Sequence, residues 1–311
     1  MWTDIKHVID AGGKRMRPYL AMVGYGEYSE RMIPVAAAQE LLHVAILIHD
    51  DIIDRDTVRH GTENVTGRYI NRYNKLLSDG DARHYADGSS ILAGDLLISE
   101  AYQAINSSDF DSDTKQRVIT RFHQALFDVV GGELLDVEAA FDSSQPIDPL
   151  LIANFKTSSY SFIGPLLAGA YCRGAGQTTI DLLTTYGEHV GIAFQFQDDL
   201  LGIFGDSSET GKSVVTDLCE GKATYLIDLY KKTLSDQDRA SFDSVFGNKN
   251  ATEQDLLELK QRIAYSSAPA DVEQRVEHHF QAALEAAEQL TSEFQRVELR
   301  YVVDALRGRK A

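Results

Sequence analysis

The chain has 311 residues, 43% of them hydrophobic and 25% charged, with 23 glycines and 6 prolines, a globular balance that excludes a fibre or a disordered chain. A net charge of −17 excludes a general nucleic-acid binder, which needs a basic face to displace counterions. Two cysteines, Cys172 and Cys219, are too few for a disulfide framework and point to a reducing cytoplasm.

Met1-Trp2-Thr3-Asp4 lacks the basic start and apolar core of a secretory signal. Apolar residues then recur at three-to-four spacing over 34–54, 90–104, 113–140, 149–170, 179–204, 225–234, 253–265 and 272–306, and each run predicts a helix. Asp148-Pro149 and Ser267-Ala268-Pro269 read as helix starts, and Gly174-Ala175-Gly176 as a break. Two stretches, 56–87 and 205–221, read as loops; both follow an Asp-Asp pair, and loops of that length in a compact domain are usually functional. Strand alternation, repeats and low-complexity tracts are lacking. The longest apolar run, 33–53, carries Glu40, His43 and aspartates, so no membrane span is expected. The chain reads as a soluble, intracellular, all-α protein forming a single domain over 1–311.

The first helix of that series ends in His49-Asp50-Asp51-Ile52-Ile53-Asp54. Residues four apart on a helix differ by about 40° around the axis, so Asp50 and Asp54 share a face. His43 and Gln39 continue that face backward within about 20°. A polar stripe on an apolar helix is costly unless something occupies it, although an isolated DDxxD also fits a solvated helix end. A second stripe, Gln195, Asp198 and Asp199, lies in the helix predicted over 179–204. Two acidic stripes on separate helices can face each other across a bundle. Oxygen donors without His or Cys select Mg²⁺ or Mn²⁺, and Mg²⁺ held by few carboxylates completes its shell with water and phosphate oxygens. Basic residues flank both clusters: Lys14, Arg15 and Arg17 after Gly12-Gly13, Arg59 and His60 beyond the first, Lys156, and Lys212 and Lys222 beyond the second. Together they suit a phosphorylated substrate; singly, each also fits a solvated surface charge. The segment 205–213 mimics a P-loop but has five residues between its glycines where that motif needs four.

With these residues in order, the chain resembles the trans-isoprenyl diphosphate synthases, or polyprenyl synthetases. The matching segments are GGKRMRP at 12–18, ELLHVAILIHDDIID at 40–54, RHG at 59–61, ILAGD at 91–95, GGELLD at 131–136, Lys156-Thr157, AFQFQDDLLGIFGD at 193–206, TGKS at 210–213 and DLCEGKATY at 217–225. The combination looks most like bacterial geranylgeranyl diphosphate synthases. The resemblance implies a single-domain bundle of antiparallel helices around a deep central cavity, working as a homodimer. It implies head-to-tail condensation of isopentenyl diphosphate with dimethylallyl, geranyl or farnesyl diphosphate. By matched position, Asp50, Asp51 and Asp54 on one wall and Asp198 and Asp199 on the other would hold Mg²⁺, with Mn²⁺ as a substitute. Arg59, Lys156, Lys212 and Lys222 would bind the allylic diphosphate. Lys14, Arg15 and His43, with His60, would bind isopentenyl diphosphate, and Thr157 and Gln195 would lie beside the developing carbocation.

The sequence departs from the family pattern in places. Gly202 stands where many members carry a third aspartate, His60 where many carry arginine, and Glu133 where glutamine is common. The leader before Gly12 is short for the family, so a truncated first helix is expected. Below Asp50, Ile46, Ala45 and Leu42 form no aromatic floor, and Leu97, Ile98 and Val130 add none, which favours a C20 product with longer chains as the alternative. All these aliphatics also fit plain core packing. Two rival functions are weighed. A terpene cyclase would lack the GGKRMRP and His43 site, and a non-catalytic subunit of a heteromeric synthase would have lost its acidic ligands.

Overall fold

The computed structural model describes residues 1–59, 61–141, 147–205 and 216–308. Helix α1 is Trp2–Asp10, α2 Met16–Tyr25 and α3 Ile33–Ile53. A two-residue hairpin pairs Val58–Arg59 with Thr62–Glu63 and leads to α4 Val65–Tyr73, α5 Asp79–Ser107 and α6 Ser112–Phe141. Then α7 Pro149–Ile152, a π-helical segment Ala153–Ile163 and α8 Gly164–Arg173 run on without a break. The remainder is α9 Gln177–Phe204, α10 Thr216–Glu220, α11 Tyr225–Thr233, α12 Asp236–Val245, α13 Glu253–Ala264, α14 Ala268–Glu288 and α15 Glu293–Arg307. The fold is all-α, as expected.

Several boundaries differ from the sequence reading for identifiable reasons. The segment 56–87 is not a loop. Asn64 caps α4 by accepting from Gly67 N–H at 2.8 Å, and Ser78 caps α5 by accepting from Asp81 N–H at 3.2 Å. These helices start in polar sequence, where caps rather than apolar periodicity mark the start. The run 272–306 is two helices, because the chain breaks at Gln289 and restarts on the Ser292 cap of α15. Helix α12, capped by Ser235, buries only Phe242 and so carries too faint an apolar stripe to be seen.

Packing centres on α3 against α5 and α9 against α14. The largest core joins α2, α8 and α9 to the C-terminal helices through Leu166, Tyr186, Phe196, Phe242, Phe280 and Val303. A second gathers Leu42, Ala101, Ile105, Val118 and Phe122 from α3, α5 and α6. Among the described residues only 30–53 is long and apolar enough to cross a membrane, and its Val35, Ala38, Leu42, Ala45 and Ile48 are buried against neighbouring helices, the position of a core helix.

A pair of histidines ties α9 to α14. His189 Nδ1 and His279 Nδ1 are 2.8 Å apart, a geometry that requires one to donate and the other to accept. Burial first, then the neighbouring His189, His278 and Arg275, push His279 down to about 4; burial also lowers His189, against Glu188. A folded value below the unfolded one of about 6.5 means that the unfolded chain takes up more protons between those limits, so stability is lost as pH falls through that window. Allowing for solvent screening at this half-buried site, the loss is about 1 kcal/mol, or about 2 °C in Tm. The drop in Tm from pH 7 to pH 5 is therefore expected to shrink in His279→Gln. An equal drop in both proteins contradicts this account.

Candidate active site

The first acidic wall is built at the end of α3. Asp54 N–H still donates to Asp50 O at 2.8 Å, but Arg55 takes a positive φ of 59° and turns the chain back. The following hairpin returns Arg59 to the wall. Its Nη2 donates to Asp50 Oδ2 at 2.8 Å and its Nε to Asp51 Oδ1 at 2.6 Å. Asp51 is buried, and burial pushes its carboxyl up to about 6 against the pull of Arg59. Asp51 therefore supports the hairpin, while Asp50 and Asp54 stand at the surface of the wall. Gly94 on α5 makes this helix pairing possible, since a Cβ there would lie 2.2 Å from the His49 ring.

Opposite stands the π-helical segment. Its wide turn carries Lys156 and Thr157, and π-turns concentrate at functional sites. Gly132 of the GGELLD segment lets it approach α6, because a Cβ there would meet Lys156 N at 2.4 Å. Lys156 Nζ lies 2.9 Å from Glu133 Oε2 and is bonded to Asp136. Burial opposes its charge, but Asp136, Glu133 and Asp50 together raise its pKa above the ordinary lysine range. Burial likewise raises Glu133, against the pull of Lys156. Thr157 Oγ1 donates to Gln195 Oε1 at 2.6 Å, and Gln195 Nε2 donates to Asp199 Oδ1 at 2.9 Å. Tyr225 N–H donates to Asp199 Oδ2 at 3.2 Å. With both oxygens engaged, Asp199 is a buried support, and burial pushes it up to about 7. Asp198, one residue earlier on α9, is exposed.

Lys222 completes the ring. Burial works against its charge, but Asp217, Asp54 and Glu220 raise it, so it sits within electrostatic reach of the first wall as well as the second. Among the described residues, Asp50, Asp54, Glu133, Asp136, Asp198, Asp199 and Asp217 outnumber the cations Arg59, Lys156 and Lys222. No three His, Cys, Asp or Glu side chains among those residues converge tightly enough to cage an ion alone. That donor set suits Mg²⁺ or Mn²⁺, which are held by a few carboxylates and completed by phosphate oxygens.

A second cationic region lies near the start of the chain. Gly12, Gly13 and Arg15 all have positive φ, a sharp bend that explains the paired glycines and leaves Lys14 exposed. Arg15 is committed to Glu40 and to the carbonyl of Ile9. Arg17 instead faces the interior: its Nη2 donates to Tyr160 Oη at 3.0 Å and to Ser161 Oγ at 2.6 Å. Its Nε is buried without a hydrogen-bond partner among the described residues. The guanidinium stacks 4.7 Å from the Tyr160 ring, and the His43 ring lies 6.2 Å from that ring. The sequence placed Arg17 in the basic set without a role; the inward turn of α2 distinguishes it from Arg15. His60 and Lys212 lie outside the described residues.

Below Asp50, Ile46 joins the cluster that holds Leu42, Ile98 and Leu126. Tyr102 of α5 and Phe122 of α6 belong to the same cluster and pack edge to face at 5.0 Å and 75°. An aromatic pair from α5 and α6 thus shares the cluster that holds Leu42 and Ile46 of α3. Val130 is exposed on the outer face of α6 and faces no interior, which corrects the reading that set it beside a product chain. Leu97 packs with Ala45 and Ile48 on the α4 side of α3.

Comparison with known proteins supplies an independent line. Residues 3–263 match the polyprenyl synthetase family. A short chain isoprenyl diphosphate synthase of Methanocaldococcus jannaschii is 32% identical over 86% of this chain and 78% of its own. A geranylfarnesyl diphosphate synthase of Aeropyrum pernix is 32% identical over 89% of this chain and 83% of its own. Among solved structures, a geranylgeranyl pyrophosphate synthase of Corynebacterium glutamicum, complexed with isoprenyl diphosphate and magnesium, superposes with a TM-score of 0.89. It is 30% identical, over 97% of this chain and 88% of that one.

Proposed function

The chain belongs to the polyprenyl synthetase family, and on that premise we propose that it condenses isopentenyl diphosphate head-to-tail with allylic diphosphates, dependent on Mg²⁺ or Mn²⁺, to give a C20 product. The observation that carries this reading is that Lys156 feels the charge of Asp50 and Lys222 that of Asp54, while Thr157 is tied through Gln195 to Asp199, the neighbour of Asp198 on α9; Lys14 and Arg17, with His43, form a separate region near the start of the chain. One region for a metal-bound diphosphate and one for a second diphosphate suit a two-substrate condensation, whereas a cyclase needs only the first.

Mg²⁺, when bound, supplies the positive charge that stabilises a diphosphate leaving group. Asp50 and Asp54 on one wall and Asp198 on the other would hold it, while Asp51 and Asp199 fix those walls from behind. Lys156, Lys222 and Arg59 aim their charge where negative charge develops as the allylic C–O bond breaks and the electron pair leaves with the diphosphate. The Thr157 and Gln195 oxygens lie on the facing side, where they stabilise positive charge on the allylic carbon. The isopentenyl double bond donates its electrons to that carbon, forming the new C–C bond. The proton released next goes to the departed diphosphate, so no protein base is needed. Arg17, with its buried Nε unmatched, and Lys14 and His43 orient the isopentenyl diphosphate; Arg15 holds the loop through Glu40. The exposed apolar residues Ile91 and Leu92 on α5 and Phe127, Val130 and Leu134 on α6 support a homodimer, since patches of this kind mark interfaces.

The C20 assignment rests on the Tyr102–Phe122 pair, which packs in the cluster that holds Leu42 and Ile46 below Asp50. Incubation with Mg²⁺, labelled isopentenyl diphosphate and farnesyl diphosphate is expected to yield a C20 alcohol after dephosphorylation, and Tyr102→Ala to extend it by one C5 unit or more. A C25 or longer product from the wild type, or an unchanged product from Tyr102→Ala, overturns the length assignment while leaving the condensation in place.

A further inference from the structure

Directly after Lys156 and Thr157, the π-helical segment is tethered by polar side chains on three sides. Toward α9, the Ser158 hydroxyl lies 3.4 Å from Glu188 O, and Gly191 leaves the room, since a Cβ there would stand 2.3 Å from that hydroxyl. Toward α2, Tyr160 and Ser161 accept from Arg17. Toward α6 the tether is ionic. Arg121 Nη2 donates to Ser159 Oγ at 2.7 Å and to Ser159 O at 3.2 Å. The same hydroxyl donates to Asp128 Oδ2, and Asp128 Oδ1 accepts from Gln124 Nε2 at 2.7 Å. Arg121 and Asp128 are 17% and 14% exposed.

Holding Ser159 does not by itself require the arginine. Asp128 already accepts from its hydroxyl, and its carbonyl already accepts the Gly164 N–H that closes the π turn. Arg121 gives up solvent to join them: its Nε is buried without a hydrogen-bond partner among the described residues, and burial lowers its pKa against the pull of Asp128. A buried ion pair of this kind adds little net stability, but a buried polar network fixes one arrangement of the groups it joins. Two rungs link the segment to α6. Lys156 meets Glu133 and Asp136 in the first, and Ser159 meets Arg121 and Asp128 in the second. Because two carboxylates draw Lys156 toward α6, the seating of the turn against α6 sets where its ammonium stands.

We propose that Arg121 and Asp128 are positioning residues that act through Ser159, holding the π turn so that the Lys156 ammonium stands where a substrate diphosphate arrives. The inference rests on the diphosphate reading of the site given above. It assigns the second rung a purpose that the first cannot serve, since Lys156 must stay available to substrate while Ser159 need not.

The test compares full-length Ser159→Ala, Arg121→Met and the double variant in condensation, in Mg²⁺-dependent binding of inorganic pyrophosphate by calorimetry, and in hydrogen exchange. Each single variant is expected to lose about tenfold in kcat/KM for the allylic diphosphate, because a small displacement of a charged group at the site costs that much. The double variant is expected to lose no more, since both changes break one network. Amides of 153–163 are expected to exchange about tenfold faster with Tm little changed, and pyrophosphate to bind more weakly. In Lys156→Ala protein, Ser159→Ala is expected to change kcat/KM by less than about twofold, because the group it acts through is gone. Ser159→Ala removes one hydroxyl, so it decides the question even where Arg121→Met does not fold. Wild-type kcat/KM in Ser159→Ala overturns the inference, as does a full tenfold loss in the Lys156→Ala background, which marks a general loosening of the fold. Absence of condensation by the wild type, with pyrophosphate binding still weakened by Ser159→Ala, rejects the reaction and retains the positioning role; unchanged pyrophosphate binding in that case overturns both.

Discussion

Asp50→Asn is expected to lower kcat about 10²- to 10³-fold, the usual consequence of removing one preorganised electrostatic group from a site where charge develops. The substitution keeps the shape of the side chain and its contact with Arg59 Nη2 at 2.8 Å, and it removes the one charge on α3 that both Arg59 and Lys156 feel. Because Asp51 keeps its own bond to Arg59 Nε, the hairpin stays docked and the fold is retained. The measurement is kcat and KM at saturating Mg²⁺, with circular dichroism as the check on folding. A kcat within threefold of wild type would remove Asp50 from the metal wall.

Lys156→Ala carries the second large effect, on catalysis and on stability together. The ammonium is the partner of both Glu133 and Asp136, and leaving these half-buried carboxylates without a cation costs about 1–3 kcal/mol before they adapt. They adapt by taking up protons. Burial already raises Glu133, with Lys156 pulling the other way, so loss of the lysine raises it further. A carboxyl whose folded pKa lies above its unfolded one contributes stability that is lost as pH rises through the folded value. Lys156→Ala is thus expected to lose more Tm at pH 8 than at pH 5, and Lys156→Ala/Glu133→Gln to regain part of that loss. Activity follows a different course: kcat/KM is expected to fall about 10²- to 10³-fold in both variants, because neither restores the charge opposite the diphosphate. Recovery of activity in the double variant would place the function of Lys156 in holding Glu133 rather than in binding substrate.

The long apolar helices and both acidic stripes could be read from sequence because each has a strong local signal. Apolar periodicity marks α3, α6 and α9, and aspartates interrupting such a face stand out. What sequence could not supply is whatever depends on a chain reversal. The hairpin that swings Arg59 onto Asp50 and Asp51 is made by Arg55 and Gly61 at positive φ, and its two-residue strands are too short to alternate. Nor does spacing distinguish Arg15 from Arg17; the bend at Gly12-Gly13 turns one toward Glu40 and the other toward Tyr160. The π-helical turn around Lys156 and Thr157 reads as ordinary helix, since its apolar spacing is close to that of an α-helix. Supporting and solvent-facing aspartates also look alike in a DDxxD string, whereas in the fold Asp51 and Asp199 are buried and hydrogen-bonded to the protein. The Tyr102–Phe122 pair and the tether of Ser159 to Arg121 and Asp128 join residues from different helices, and no local pattern announces either.

The central claim is that this site couples diphosphate departure to the arrival of a second diphosphate-bearing substrate. The most direct measurement follows pyrophosphate release from farnesyl diphosphate in the presence of Mg²⁺ while isopentenyl diphosphate is varied, with consumption of both substrates recorded. The account predicts one pyrophosphate released for each isopentenyl unit consumed, and none when isopentenyl diphosphate or the divalent cation is withheld. Pyrophosphate release that proceeds without isopentenyl diphosphate, or folded, metal-loaded protein that consumes neither substrate, would contradict it.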